Sequence, residues 1–232
     1  MGEELILVGR GRKHYNIQSF QRRGSALLSS IYSFKPHFQN LLRPLSERLG
    51  RAGVTPNAVT LAALALSVAQ GAWLALEPQS GWPLLLLPVT LFLRLALNAI
   101  DGMLAREHGM VSARGLVLNE LGDVISDAAL YLPFALIPGV DPVLVVLIVV
   151  ACLIAELTGL LAPLVGAPRR YAGPFGKSDR AIGFGLLAVL LGAGLAPGAW
   201  TELYLWLLLI LAALTVLNRA RSILAAAKEP SA

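Results

Sequence analysis

The sequence predicts an all-α integral membrane protein with six transmembrane helices and an N-terminal amphipathic interfacial helix. Three observations carry that expectation. First, 56% of the 232 residues are hydrophobic and only 14% are charged. A soluble domain carries about 25% charged residues, so these polar groups cannot cover a water-facing globule. Second, the apolar residues form continuous runs close to the roughly 20 residues that cross a hydrocarbon core of about 30 Å as a helix. The runs do not alternate as barrel strands would. Third, the basic residues are segregated into alternate links. Cys152 has no second cysteine to pair with, which excludes a disulfide scaffold, and the hydrophobicity excludes a disordered chain.

Taken in order, residues 1–34 form a basic cytoplasmic leader. Its first 24 residues are polar and lack the apolar core of a signal peptide, so no cleavage is expected. In residues 35–52, Phe38, Leu41, Leu42, Leu45 and Leu49 recur at spacings of three and four with basic residues between them. That pattern predicts an amphipathic helix on the inner leaflet, bent at Pro44. Residues 53–225 hold the six expected spans: Asn57 to Leu76, Pro83 to Ala105, Leu116 to Ile137, Pro142 to Gly166, Ala181 to Leu195 and Thr201 to Ala220. Pro- and Gly-rich turns at 77–82, 138–142 and 196–198 separate them, and residues 226–232 form a tail.

The positive charge sorts itself by topology. Nine basic residues precede span one. Arg106 and Arg114 follow span two, Arg169, Arg170, Lys177 and Arg180 follow span four, and Arg219, Arg221 and Lys228 close the chain. The opposite links carry only Glu77, Asp141 and Glu202. The positive-inside rule then puts both termini in the cytoplasm, with Trp82 and Trp200 at the far interface. The charge of +5 therefore needs no nucleic acid to explain it. Of the 19 Lys and Arg, Arg94 alone falls off this pattern.

A charge inside a span costs on the order of 2.5–3.5 kcal/mol, so each one needs a reason. Asn98 and Asp101 share a face near the inner end of span two, and Asn119, Asp123 and Asp127 share a face of span three beside Glu120. An antiparallel pair brings the two faces together below the cytoplasmic surface. Oxygen ligands without His or Cys suit a hard divalent cation such as Mg²⁺ or Mn²⁺. Gly102 and Gly115 allow close backbone approach, and Arg106 offers a fork for phosphate. Interhelical polar contacts are the ordinary explanation of one buried Asn. They do not account for carboxylates on matched faces of two helices.

The string Asp101-Gly102-x2-Ala105-Arg106-x8-Gly115-x3-Asn119-x3-Asp123, preceded by Asn98, resembles the signature of the CDP-alcohol phosphotransferase family, D-x2-D-G-x2-A-R-x8-G-x3-D-x3-D. The Thr55-Pro56-Asn57-x2-Thr60 opening of span one is also similar, and the likeness covers roughly residues 35–225. The resemblance implies transfer of a phosphatidyl group from CDP-diacylglycerol to an alcohol with release of CMP, in a cavity open to the cytoplasm. It further implies a multi-pass protein of a bacterial-type inner membrane, with a homodimer plausible. In the family, the motif carboxylates hold two divalent ions on the pyrophosphate and the last one is the general base. Carried over, Asp123 is the base, and Asn98, Asp101, Asn119 and Asp123 form the metal shell. Asn57, Gly102, Ala105, Arg106 and Gly115 then line the CDP site.

Asn98 and Asn119 stand where the family has Asp, which removes two charges and keeps two carbonyl oxygens. Three readings follow: Asp127 and Glu120 compensate as metal ligands, one metal is lost, or the protein binds a CDP-lipid without turning it over. The first is favoured because Asp127 extends the carboxylate stripe by one turn. Arg94, Asp127 and Glu156 fall at similar depth, which predicts a buried Arg94 cluster with Asp127, Glu156 or both. A helix-pinning ion pair is at least as good an account of it as a catalytic role. In Arg169-Arg170-Tyr171-x5-Lys177-Ser178-Asp179-Arg180 the Gly-Lys-Ser step is no P-loop, since Tyr171 takes the required Gly position and no strand precedes it. Lys177 and Arg180 are instead the expected acceptor or anion-binding residues. The competing functions are an inactive relative that binds CDP-lipid or anionic lipid and, further off, a small transporter. Against the latter, the carboxylates cluster at one mouth instead of along a midplane path.

Overall fold

The computed structural model describes residues 29–166 and 173–227. They fold into seven α-helices: α1 (Ser29–Arg51), α2 (Pro56–Leu76), α3 (Gly81–Glu107), α4 (Ala113–Tyr131), α5 (Pro142–Leu161), α6 (Lys177–Gly192) and α7 (Ala199–Ala227). No strand occurs among the described residues. The chain divides within α1 into two compact units, residues 1–41 and residues 42–232. The first is described only as the helical stretch 29–41, and the remaining helices belong to the second.

Local chemistry sets the helix ends. The Thr55 hydroxyl accepts from the Ala58 amide and Pro56 opens α2, where its missing N–H costs nothing. Ser112 caps α4 by accepting from the Gly115 amide, and Asp141 caps α5 through the amides of Val143 and Leu144. At α6 the Asp179 carboxylate reaches back to the Gly176 amide at 2.9 Å. The expected third span is not one continuous α-helix. α4 stops at Tyr131 and the chain tightens into a 3₁₀ turn, Leu132–Leu136, because Pro133 cannot donate to the α-helical ladder. α5 likewise passes into a 3₁₀ turn, Ala162–Val165, and ends at Gly166 with φ 74°. α1 is helical through Pro44 without interruption, and α7 runs seven residues past the expected end at Ala220.

Packing in the second unit joins α2 to α3 and α4, α3 to α6, and α5 to α7. Small residues let backbones touch. A Cβ built on Gly71 of α2 would lie 1.9 Å from the Ala129 carbonyl oxygen of α4, so only glycine permits this crossing. The core is sealed by Tyr131 stacked on Phe184 at 4.2 Å, with Phe134 edge-on at 5.2 Å. Outside this core, large apolar side chains such as Leu61, Phe92, Leu147, Leu203 and Ile210 face outward. α2, α3, α5 with its following turn, and α7 are long and apolar enough to cross a membrane. α4 carries Arg114, Glu120, Asp123 and Asp127 and is less apolar, and α6 has only 16 residues. The chain is a membrane protein with several apolar helices.

A candidate active site of carboxylates and buried cations

The centre is assembled from α3, α4 and the first turn of α6. Asp101 is held from α2: the Thr60 hydroxyl donates to its Oδ2 at 2.9 Å. Asp123 lies on α4, and Asn98, one turn before Asp101 on α3, reaches it. Both oxygens of Asp123 are engaged. Its Oδ1 accepts from Asn98 Nδ2 at 3.1 Å and from Arg94 Nη2 at 3.2 Å, and its Oδ2 accepts from the ammonium of Lys177. Arg94 also donates to the Asp123 carbonyl at 3.2 Å.

One turn deeper, Asp127 spends its carboxylate on two guanidinium groups. Arg94 Nη1 reaches Oδ1 at 2.6 Å and Arg180 Nη1 reaches Oδ2 at 3.0 Å. Arg180 continues the chain of charges to Glu156 on α5 at 2.5 Å, and Arg219 of α7 approaches the same Glu156 oxygen at 3.5 Å. Arg219 also donates to the Ala155 carbonyl at 2.6 Å. Arg94 and Glu156 are thus members of one network, linked through Asp127 and Arg180. Burial of so many charges is sustained because each meets an opposite partner; breaking one pair would leave a bare charge at several kcal/mol.

The residues expected around a nucleotide also converge. Asn57 at the start of α2 faces Gly115 at the start of α4: a Cβ there would sit 2.9 Å from the Asn57 Oδ1 and 3.0 Å from the Ser112 hydroxyl. Arg106 folds back over Gly102, where a Cβ would lie 3.1 Å from both terminal guanidinium nitrogens. Ala105 is partly buried beside it.

Other expected site residues are placed elsewhere. Glu120 lines a groove of about 350 Å³ between α4 and α5 with Leu121, Val124, Leu153, Ile154 and Leu157, on a different flank of α4 from Asp123. Arg180 is 1% exposed and faces Asp127 and Glu156. Arg169, Arg170 and Tyr171 lie outside the described residues, as do most of the leader and the end of the tail. Arg219 is the residue the sequence reading leaves with the tail; the structure buries it at 2% exposure. Its signal is position, one turn after the buried Thr215 on the helix stripe that also holds Leu208 and Ala212.

Among the described residues no group of three His, Cys, Asp or Glu side chains is arranged to hold a metal ion. The physical reason is local. Two of the expected ligands are Asn, and Asp127 is committed to arginines. Of the ligands expected from the sequence, an all-oxygen set remains, the carboxylates of Asp101 and Asp123 with the amides of Asn98 and Asn119, of which Asn98 is in contact with Asp123. Its hard donors and two negative charges match one divalent cation.

These features define a polar centre of carboxylates, amides and buried arginines on packed helices. The chain belongs to the CDP-alcohol phosphatidyltransferase family, whose sequence model matches residues 53–222. It is 47% identical over 202 residues to "Inner membrane protein YnbA" of Escherichia coli (strain K12), covering 86% of this chain and 99% of that one. It is 29% identical over 216 residues to a phosphatidylinositol phosphate synthase of Mycolicibacterium smegmatis, covering 84% of this chain and 90% of the relative. Crystal structures of Mycobacterium tuberculosis phosphatidylinositol phosphate synthase share its fold. One has CDP-DAG bound, with a TM-score of 0.67 at 23% identity, covering 82% of this chain and 97% of that one. Another, in complex with manganese and citrate, also has a TM-score of 0.67 at 23% identity, covering 82% and 92%.

Proposed function

We propose that this chain transfers a phosphatidyl group from CDP-diacylglycerol to an alcohol acceptor and releases CMP, with α2 to α7 crossing the membrane and the centre opening to the cytoplasm. The observation that carries this reading is that Asn98, one turn before Asp101 on α3, reaches Asp123 of α4, while Thr60 of α2 holds Asp101. Family membership supports it. Arg106 and the open backbone at Gly102 and Gly115 receive the CDP phosphates and nucleotide. Asp123 takes the proton of the acceptor hydroxyl as its oxygen attacks the phosphatidyl phosphorus. The bond to CMP breaks, and CMP leaves with the electron pair. Lys177 sits on Oδ2, the Asp123 oxygen that Asn98 and Arg94 leave for that proton, and a shift of its ammonium opens it further. Its side chain is 39% exposed and long enough to exchange Asp123 for a substrate phosphate or an anionic acceptor. Arg94 and Asp127 hold Asp123 from behind and keep its carboxylate directed at the mouth. A divalent ion such as Mg²⁺ or Mn²⁺, held by Asp101, Asp123 and the amide oxygens of Asn98 and Asn119, supplies positive charge for the pyrophosphate when bound.

The second reading is a relative that binds CDP-lipid or anionic lipid without turnover. The engagement of both Asp123 oxygens, together with Asn98 and Asn119, favours it. One assay separates the two. Purified chain in liposomes is given CDP-diacylglycerol and a panel of alcohols, including phosphorylated ones, and CMP is quantified with and without EDTA. CMP formed only with an acceptor supports the enzyme. CDP-lipid binding without CMP supports the second reading and overturns the transferase; absence of both CMP and CDP-lipid binding overturns both readings. Equal product in EDTA removes the metal from the mechanism.

A further inference from the structure

Charge accounting at the centre leads beyond this function. Among the described residues, the carboxylates Asp123, Asp127 and Glu156 meet Arg94, Lys177, Arg180 and Arg219, and Asp101 accepts from Thr60. Four cations already meet these acids and Arg106, over Gly102, adds a fifth, so the protein supplies at least as much positive as negative charge there before any ion or substrate arrives. A pyrophosphate diester brings about two negative charges, which one divalent ion neutralises. A second ion would leave excess positive charge in a buried site, and the two Asn side chains have no charge with which to compensate it.

The position of Lys177 completes this argument. It is the first residue of α6, and its ammonium reaches across to α4. The contact falls on Asp123 Oδ2, the oxygen that neither Asn98 nor Arg94 uses. We propose that the ammonium of Lys177 takes the place of a second divalent cation, so that the centre binds one divalent ion per chain. The two Asn substitutions and Lys177 then form one arrangement: anionic ligands are removed where the protein supplies its own cation. The inference rests on reading the centre as a CDP-lipid site, but it is tested separately.

The experiment titrates full-length protein in phosphatidylcholine nanodiscs with Mn²⁺, following free Mn²⁺ by electron paramagnetic resonance. The wild type is expected to saturate at one Mn²⁺ per chain. Lys177→Met removes a cation in contact with Asp123 and is expected to tighten Mn²⁺ binding by about tenfold or more, while Lys177→Arg stays within about threefold of the wild type. Saturation at two ions in the wild type, no saturable binding in the wild type, or unchanged or weaker binding in Lys177→Met each overturns the proposal. The wild-type stoichiometry needs no variant to fold. Two bound ions with CMP still released would overturn this inference and leave the proposed reaction standing; one bound ion with no CMP released would do the reverse.

Discussion

Asp123 receives hydrogen bonds or ion pairs from Asn98, Arg94 and Lys177, and Asp101 receives one from Thr60. The surroundings differ: Asp101 is positioned by a neutral hydroxyl, whereas Asp123 is held by two cations and an amide. Asp123→Asn keeps the shape and the acceptor oxygen but cannot take a proton. It is expected to lower CMP release by about 10²–10⁴-fold while CDP-lipid binding persists. A variant that retained full turnover would remove Asp123 as the base. Asn98 is legible in the sequence as a departure from the family pattern, but its use is not. Only the tertiary structure brings its amide to Asp123, where it donates to Oδ1 and orders that carboxylate.

At the scale of elements, two devices hold the helices in register. The first is the chain Arg94–Asp127–Arg180–Glu156–Arg219, which ties α3, α4, α6, α5 and α7 together. Glu156→Gln leaves Arg180 and Arg219 without that carboxylate and is expected to cost about 3–5 kcal/mol, read as a lowered midpoint of thermal unfolding in detergent. An unchanged midpoint would mean that the network adds nothing to stability. The second device is close backbone approach. Gly71→Ala places a methyl group against the Ala129 carbonyl and forces α2 from α4 at about 1–3 kcal/mol. Because α2 also carries Thr60, that variant is expected to lose activity along with stability.

For the whole molecule, the segregation of basic residues predicts which links face the cytoplasm. The only cysteine, Cys152, is buried, so a cysteine introduced at an exposed link reports its side of the membrane. With a membrane-impermeant maleimide, Gln79→Cys is expected to label in intact cells, and Val111→Cys only in inverted vesicles. The opposite pattern would invert the topology. Labelling of both positions from one side would break the six-crossing count, in which α4 and α6 are the least apolar members.

Continuous apolar runs, punctuation by Pro and Gly, and the spacing from Asn98 to Asp123 are local properties, and each can be read along the chain. Hydrophobic length determines helices in a bilayer whatever the neighbours are, and helical periodicity determines which residues share a face. The break after Tyr131 is local too, since Pro133 stands in the sequence, although an apolar run alone does not reveal it. Partner choice among charges is different. Residues near one another in depth have several possible opposites, and only the azimuth of each helix about its axis selects among them. Hence Asp127, which the sequence offers as a metal ligand, is taken by Arg94 and Arg180. Glu120, its neighbour on the same helix, turns to the groove beside α5. Arg219, which reads as a topology signal, closes the buried network on Glu156. The sequence by itself determined the apolar helices and the family, because both are local properties of the chain; helix packing decided which charges pair with one another, because that depends on how each helix is turned toward its neighbours.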